Sequence, residues 1–221
     1  MENALIIGAS GGIGSALCAA LAAQGVRITG LSRSADGLDL TDEAGVEAAL
    51  GGLEGPFDLV FVATGALEIG GRGPEKTLRE ITAQAMADQF ALNCIGPALV
   101  LRHAARLLPR DRRAVVAVLS ARVGSIGDNR LGGWYAYRAS KAALNQVVRT
   151  AAIELARTHP SAVCVALHPG TVATDLTARY AGRHPTVPPE EAARNLLSVI
   201  AGLDAGQSGS FHDWRGDPIP W

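Results

Sequence analysis

Ala4-Leu5-Ile6-Ile7 runs straight into Gly8-Ala9-Ser10-Gly11-Gly12-Ile13-Gly14, and an apolar helical segment follows at once. A strand that turns directly into a helix needs residues without Cβ atoms, so that the backbone can double back closely. The first turn of the helix then offers N–H groups with no intrahelical partner, which suits a pyrophosphate. The spacing fits G-x-x-x-G-x-G through residues 8, 12 and 14, or G-x-x-G-x-x-G through 8, 11 and 14. In either register the segment predicts a dinucleotide seated on the first strand–helix turn of a parallel sheet.

The rest of the chain agrees with such a sheet. Short apolar runs at Ala4–Ile7, Val26–Leu31, Phe57–Ala63, Ala114–Leu119 and Ala162–Leu167 show little period-2 alternation, as strands buried on both faces do. Helical periodicity fills the gaps: Ile13–Gln24, Asp42–Leu50 with Thr41 as its N-cap, a long helix near Arg79–Leu108, and Tyr137–Thr158. A last helix follows Pro188-Pro189, with Glu190 and Glu191 in its first turn. Strand–helix alternation from end to end predicts one α/β domain over residues 1–221, a Rossmann fold with a doubly wound parallel sheet. Leu176–Pro188 is the least regular stretch and is expected to form either a mobile loop over a pocket or a plain surface connection.

At the end of the second strand, an acid would bind the adenosine ribose, whereas an arginine accommodates a 2′-phosphate. The sequence there is Leu31-Ser32-Arg33-Ser34, so NADP(H) is expected over NAD(H). A net charge of −1 with 48% hydrophobic residues gives no support for a nucleic-acid or membrane-surface partner. Cys18, Cys94 and Cys164 lie apart among apolar residues and read as core side chains in a reducing, cytoplasmic setting. The apolar stretch 13–26 is interrupted by Ser15 and Gln24 and preceded by Glu2, unlike a signal peptide. His103, His159, His184 and His212 have no metal-ligand spacing, so no metal is expected.

Eighteen arginines accompany two lysines, and one of the two follows a tyrosine at i+4, in Tyr137-Arg138-Ala139-Ser140-Lys141. On a helix the phenol and the ammonium share a face. A compact cation beside a phenol favours the phenolate, which would make Tyr137 usable as an acid or base near neutral pH.

With the glycine turn at residue 8 and Tyr-x-x-x-Lys at 137–141, the chain resembles the classical short-chain dehydrogenase/reductase family over essentially its whole length. The resemblance implies that Tyr137 is the acid/base, that Lys141 lowers its pKa and holds the nicotinamide ribose, and that Asn93 completes a proton relay. It implies cofactor contacts from Gly8, Ser10, Gly12, Ile13 and Gly14, from Arg33, Asp39 and Leu40, from Ala63, Thr64 and Gly65, and from Pro169, Gly170, Val172 and Thr174. A homodimer or homotetramer built on the long helices is also implied. The stretch Gly124-Ser125-Ile126-Gly127 through Tyr137 and the terminal Pro218-Ile219-Pro220-Trp221 are similar to the C-factor and sniffer-type carbonyl reductase branch.

Two departures stand out. The family's Asn-Asn-Ala-Gly after the third strand is here Val62-Ala63-Thr64-Gly65. The family's Ser-Ser-x-x-Gly is Ser120-Ala121-Arg122-Val123-Gly124, so the substrate-orienting serine is expected to be Ser120, with Ser125 as the alternative. The implied function is an NADP(H)-dependent oxidoreductase interconverting a small-molecule carbonyl and its alcohol. The C-factor resemblance implies an alternative, a cell–cell signalling protein that binds dinucleotide with little turnover.

Overall fold

The computed structural model describes residues 1–174, 177, 179 and 185–221. Six parallel strands form one sheet in the order β2-β1-β3-β4-β5-β6: β1 Asn3–Ile7, β2 Arg27–Leu31, β3 Leu59–Val62, β4 Ala114–Leu119, β5 Ala162–His168 and β6 Phe211–Asp213. The order reverses at β1, where Ala4 pairs with Ile28 on one side and Leu59 on the other. Ligands of open α/β sheets bind in the crevice at that switch point, beyond the carboxyl ends of the strands.

Because side chains alternate across a strand, the unbroken apolar runs feed two cores. Ile7, Val62, Val118 and Ala166 face the layer of α3 (Glu43–Gly51), α5 (Gly96–Leu107) and α6 (Tyr135–Leu155). Ile6, Phe61, Leu119 and Leu167 face α1 (Gly12–Ala22) and α7 (Pro189–Gly202). A fully buried Leu such as Leu17 or Leu144 contributes about 1.5–3 kcal/mol.

The expected strands are all present, and β6 is an addition whose three residues are too few to give a periodic signal. A short helix α2 (Arg33–Asp36) directly follows β2. Asp42 rather than Thr41 caps α3, accepting from the Ala44 amide, because the Thr41 hydroxyl is bound to Asp39. The single long helix expected near Arg79–Leu108 is divided. After a 3₁₀ turn at Leu78–Glu80 come α4 (Ala83–Phe90), a π-turn at Ala91–Ile95, and α5. Such π-turns insert one extra residue per turn and re-aim the side chains they carry, here Asn93. Most of the loop expected at Leu176–Pro188 lies outside the described residues, as does His184; Val187 bridges to Val172. Among the described residues, no helix is long and apolar enough to cross a membrane.

Candidate active site

A cavity of about 1020 Å³ opens above the carboxyl ends of β1, β3, β4 and β5. The glycine turn forms one wall, with Ser10, Gly11, Gly12 and Ile13 along it. Gly8 has φ +88°, and its amide donates to Leu31 at 2.7 Å, tying the turn to β2. A Cβ on Gly14 would lie 2.1 Å from the Gly8 carbonyl oxygen, and one on Gly12 would lie 2.8 Å from Thr174 Cγ2. Gly11 caps α1 without a side-chain bond, so the helix offers its first amides to a ligand. Thr174, Val172, Pro169 and Gly170 stand on the same cavity, as do Ala63, Thr64 and Gly65. Thr64 Oγ1 is buried there with no hydrogen-bond partner among the described residues. This cradle fits a nicotinamide dinucleotide.

The adenosine end is less direct. Arg33 is exposed at the start of α2, and Ser34 Oγ donates to Ser10 Oγ at 2.9 Å, linking α2 to the glycine turn. The nearest acid on this helix, Asp36, accepts from the Ser32 amide at 2.8 Å and so is spent on capping α2. Asp39 Oδ1 accepts from both the Thr41 hydroxyl (2.7 Å) and amide (2.8 Å), and these bonds hold its carboxyl below the usual range. Leu40 is buried against Gly96. Arg33, Asp39 and Leu40 therefore stand outside the main cavity.

Tyr137 and Lys141 lie on the cavity wall, one turn apart on α6. Lys141 is 2% exposed, and Nζ donates to the Leu119 carbonyl at 3.0 Å. Glycines leave it room: a Cβ on Gly124 would meet Lys141 Cβ at 2.8 Å, and one on Gly65 would lie 3.3 Å from Nζ. The resemblance implied a tyrosine whose pKa the lysine lowers. In the chain alone burial dominates instead, pushing the Tyr137 phenol up to about 12 and the Lys141 ammonium down to about 8.

Glu75 fixes where α6 begins, and no sequence signal marked it. Trp134 occupies the N-cap with φ 55° and makes no side-chain cap; Glu75 Oε2 accepts from the Ala136 amide at 3.1 Å instead. Trp134 meets the Tyr137 ring edge-on at 6.2 Å between centroids.

Asn93 is fully buried on the π-turn. Its Oδ1 accepts from the Ala66 amide (2.9 Å), and its Nδ2 donates to the Ala66 carbonyl (2.8 Å) and to Gln89 Oε1 (2.5 Å). Gln89 Nε2 in turn donates to the Leu67 carbonyl at 2.9 Å. This pair braces the chain after β3, where Val62-Ala63 lacks the family's asparagines. Gln89 was another residue that carried no motif.

Ser120 and Ser125 part company. Ser120 borders the cavity, and its Oγ donates to Asn145 Oδ1 at 2.6 Å, one turn beyond Lys141. Asn145 Nδ2 is buried without a partner among the described residues. Ser125 Oγ donates to the Pro220 carbonyl and accepts from the Asp128 amide, away from the cavity. Ala121 also lines the cavity and carries no hydroxyl to offer there. His168, beside it at the end of β5, is held neutral: burial pushes its pKa down to about 4, against the pull of Asp213.

The family model for short chain dehydrogenases matches residues 37–183. C-signal of Myxococcus xanthus is 38% identical over 171 residues, covering 76% of this chain and 94% of that protein. A 1-hydroxy-2-glutathionyl-2-methyl-3-butene dehydrogenase of Rhodococcus sp. (strain AD45) is 32% identical over the full length of both. A solved short-chain dehydrogenase/reductase from Burkholderia multivorans with bound NADP superimposes with a TM-score of 0.79 at 27% identity, covering 100% of this chain and 99% of that one. The family match over about two thirds of the chain and these relatives agree with one another, and the chain belongs to the short-chain dehydrogenase/reductase family of oxidoreductases, in the branch that holds C-signal.

Proposed function

We propose that the protein is an NADP(H)-dependent carbonyl reductase, or the matching alcohol dehydrogenase, with Tyr137 as its acid/base. The observation that carries this reading is the burial of Tyr137 and Lys141 on the wall that continues into the glycine cradle. A bound nicotinamide dinucleotide supplies or accepts the hydride. Tyr137 gives its proton to the oxygen of the carbonyl as that oxygen gains charge. A phenol raised to about 12 stays protonated at neutral pH and is ready to donate. Lys141 supports the phenolate that remains and holds the nicotinamide ribose, while Asn93 relays the proton toward solvent. Ser120 orients the carbonyl. Arg33, with Ser10 and Ser34 beside it, favours a 2′-phosphate and hence NADP(H).

The three free cysteines suit the cytoplasm. Ile95 and Ile153, about half exposed on the π-turn and α6, suit a homo-oligomer joined through these helices. The test is titration with NADPH and NADH, followed by the fluorescence of Trp134, and then a panel of ketones, aldehydes and diketones. Tight NADPH binding with consumption by a carbonyl supports the reading; failure to bind either nucleotide overturns it.

Ala121 favours a second reading. With the nearest hydroxyl, Ser120, bound to Asn145, a C-signal-like protein that binds dinucleotide with little turnover is the rival. NADPH binding without turnover across the panel would select it.

A further inference from the structure

Arg138 follows Tyr137 on α6, half-buried at the edge of the cavity. Its Nε donates to the Gly133 carbonyl at 2.9 Å and its Nη1 to the Val123 carbonyl at 3.2 Å, so the guanidinium is held between both ends of the segment that walls the cavity. A guanidinium has five N–H donors, and here Nη2 has no acceptor among the described residues. None of the described carboxylates lies within 4 Å of it. Burial alone acts on its charge, lowering the pKa with no acid to offset it. Arg122, on the same wall, is different: its Nε meets Asp128 Oδ2 at 2.5 Å and its Nη1 lies 3.8 Å from Asp213 Oδ2.

Even a half-buried cation loses part of its hydration with no counter-ion to offset it, and holding two carbonyls requires donors but not a charge. Among the described residues, no aspartate or glutamate lines this cavity. The dinucleotide's phosphates do not account for Arg138, because their cradle is the glycine turn and Thr174, whereas Arg138 stands on the first turn of α6, bound to Val123 and Gly133 of the segment between β4 and α6. A planar guanidinium with open N–H groups matches a carboxylate.

We propose that Arg138 receives an anionic group of the substrate, and that the substrate class is a carbonyl compound, or its alcohol, bearing a carboxylate. The inference rests on the carbonyl reductase reading above. Arg138 then selects the substrate and leaves proton transfer to Tyr137.

The test compares 4-carboxybenzaldehyde with its methyl ester in NADPH-consumption assays. The acid is expected to show at least a tenfold higher kcat/KM, carried by KM, and the ratio should shrink as salt is raised. Arg138→Met is expected to bring the ratio close to one. Arg138→Lys, which keeps the charge and loses the fork that grips two carbonyls, should retain most of the preference. An arginine that only braces the wall would lower both substrates together and leave the ratio unchanged, which overturns the proposal. A native protein with no preference for the acid, at any salt concentration, overturns it equally. If NADPH binds and neither aldehyde is consumed, the reductase reading fails, and calorimetry of both compounds on the NADPH complex decides the anion site alone. A salt-sensitive preference for the acid that Arg138→Met abolishes supports the proposal there, and equal binding overturns it.

Discussion

Lys141 Nζ donates to the Leu119 carbonyl at 3.0 Å and stands 6.0 Å from the centre of the Tyr137 ring. The ammonium is thus anchored to the end of β4, with the phenol at the edge of its reach. Tyr137→Phe is expected to lower kcat by about 10²–10⁴-fold, the usual worth of a general acid, with NADPH affinity nearly intact. Unchanged turnover in steady-state assays would remove Tyr137 from the mechanism.

Lys141→Arg keeps the charge, but the larger planar head has to fit between the Leu119 carbonyl and Gly65, where an added Cβ would already lie 3.3 Å from Nζ. Activity is expected to fall at least tenfold, about 1.4 kcal/mol in barrier. Near-native rates would show that charge alone suffices at this position.

His168 titrates at about 4 in the folded chain against an ordinary value near 6.5. Between those values the unfolded chain binds the proton and the folded chain does not, so stability falls as pH drops from about 6.5 toward 4. The loss should be on the order of 3 kcal/mol. Urea midpoints of the cofactor-free protein across this range measure it, and His168→Gln should flatten the slope.

Gln89→Leu would strip Asn93 Nδ2 of one acceptor and the buried Leu67 carbonyl of its donor. The expected cost is about 2–4 kcal/mol. Because Asn93 also contacts the Ala66 backbone, kcat should fall as well, and Gln89→Glu should recover part of it by restoring the acceptor. A stable Gln89→Leu protein with native kcat would show that the brace is dispensable.

The two serines should separate cleanly. Ser125→Ala loses the bond to Pro220 and should destabilise by about 1 kcal/mol with little change in kcat. Ser120→Ala should lower kcat by about tenfold while leaving NADPH binding alone. The reverse pattern would reassign the orienting hydroxyl to Ser125.

The glycine turn and the five longer strands were legible in the sequence because their causes are local. Gly14 cannot carry a Cβ against the Gly8 carbonyl, six residues away, and a strand buried on both faces can only be written in apolar letters. Tyr137 and Lys141 were legible for the same reason, since one helical turn joins them. What escaped reading depends on contacts between distant parts of the chain. Glu75 reaches the Ala136 amide across 61 positions, and Gln89 reaches the Leu67 carbonyl across 22. The division of the long helix escaped because Ala91–Ile95 has ordinary helical composition. The burial of Tyr137, which raises its phenol in the chain alone, was not legible because burial cannot be read from spacing.

The capping of α6 by Glu75 has a consequence for how this cavity can change. The helix that carries the acid/base takes its starting point from a separate stretch of chain, whose neighbours Ala66 and Leu67 also hold Asn93 and Gln89. Editing that stretch to admit a new substrate would also shift the proton donor and its relay. In this scaffold, selectivity and rate would therefore drift together.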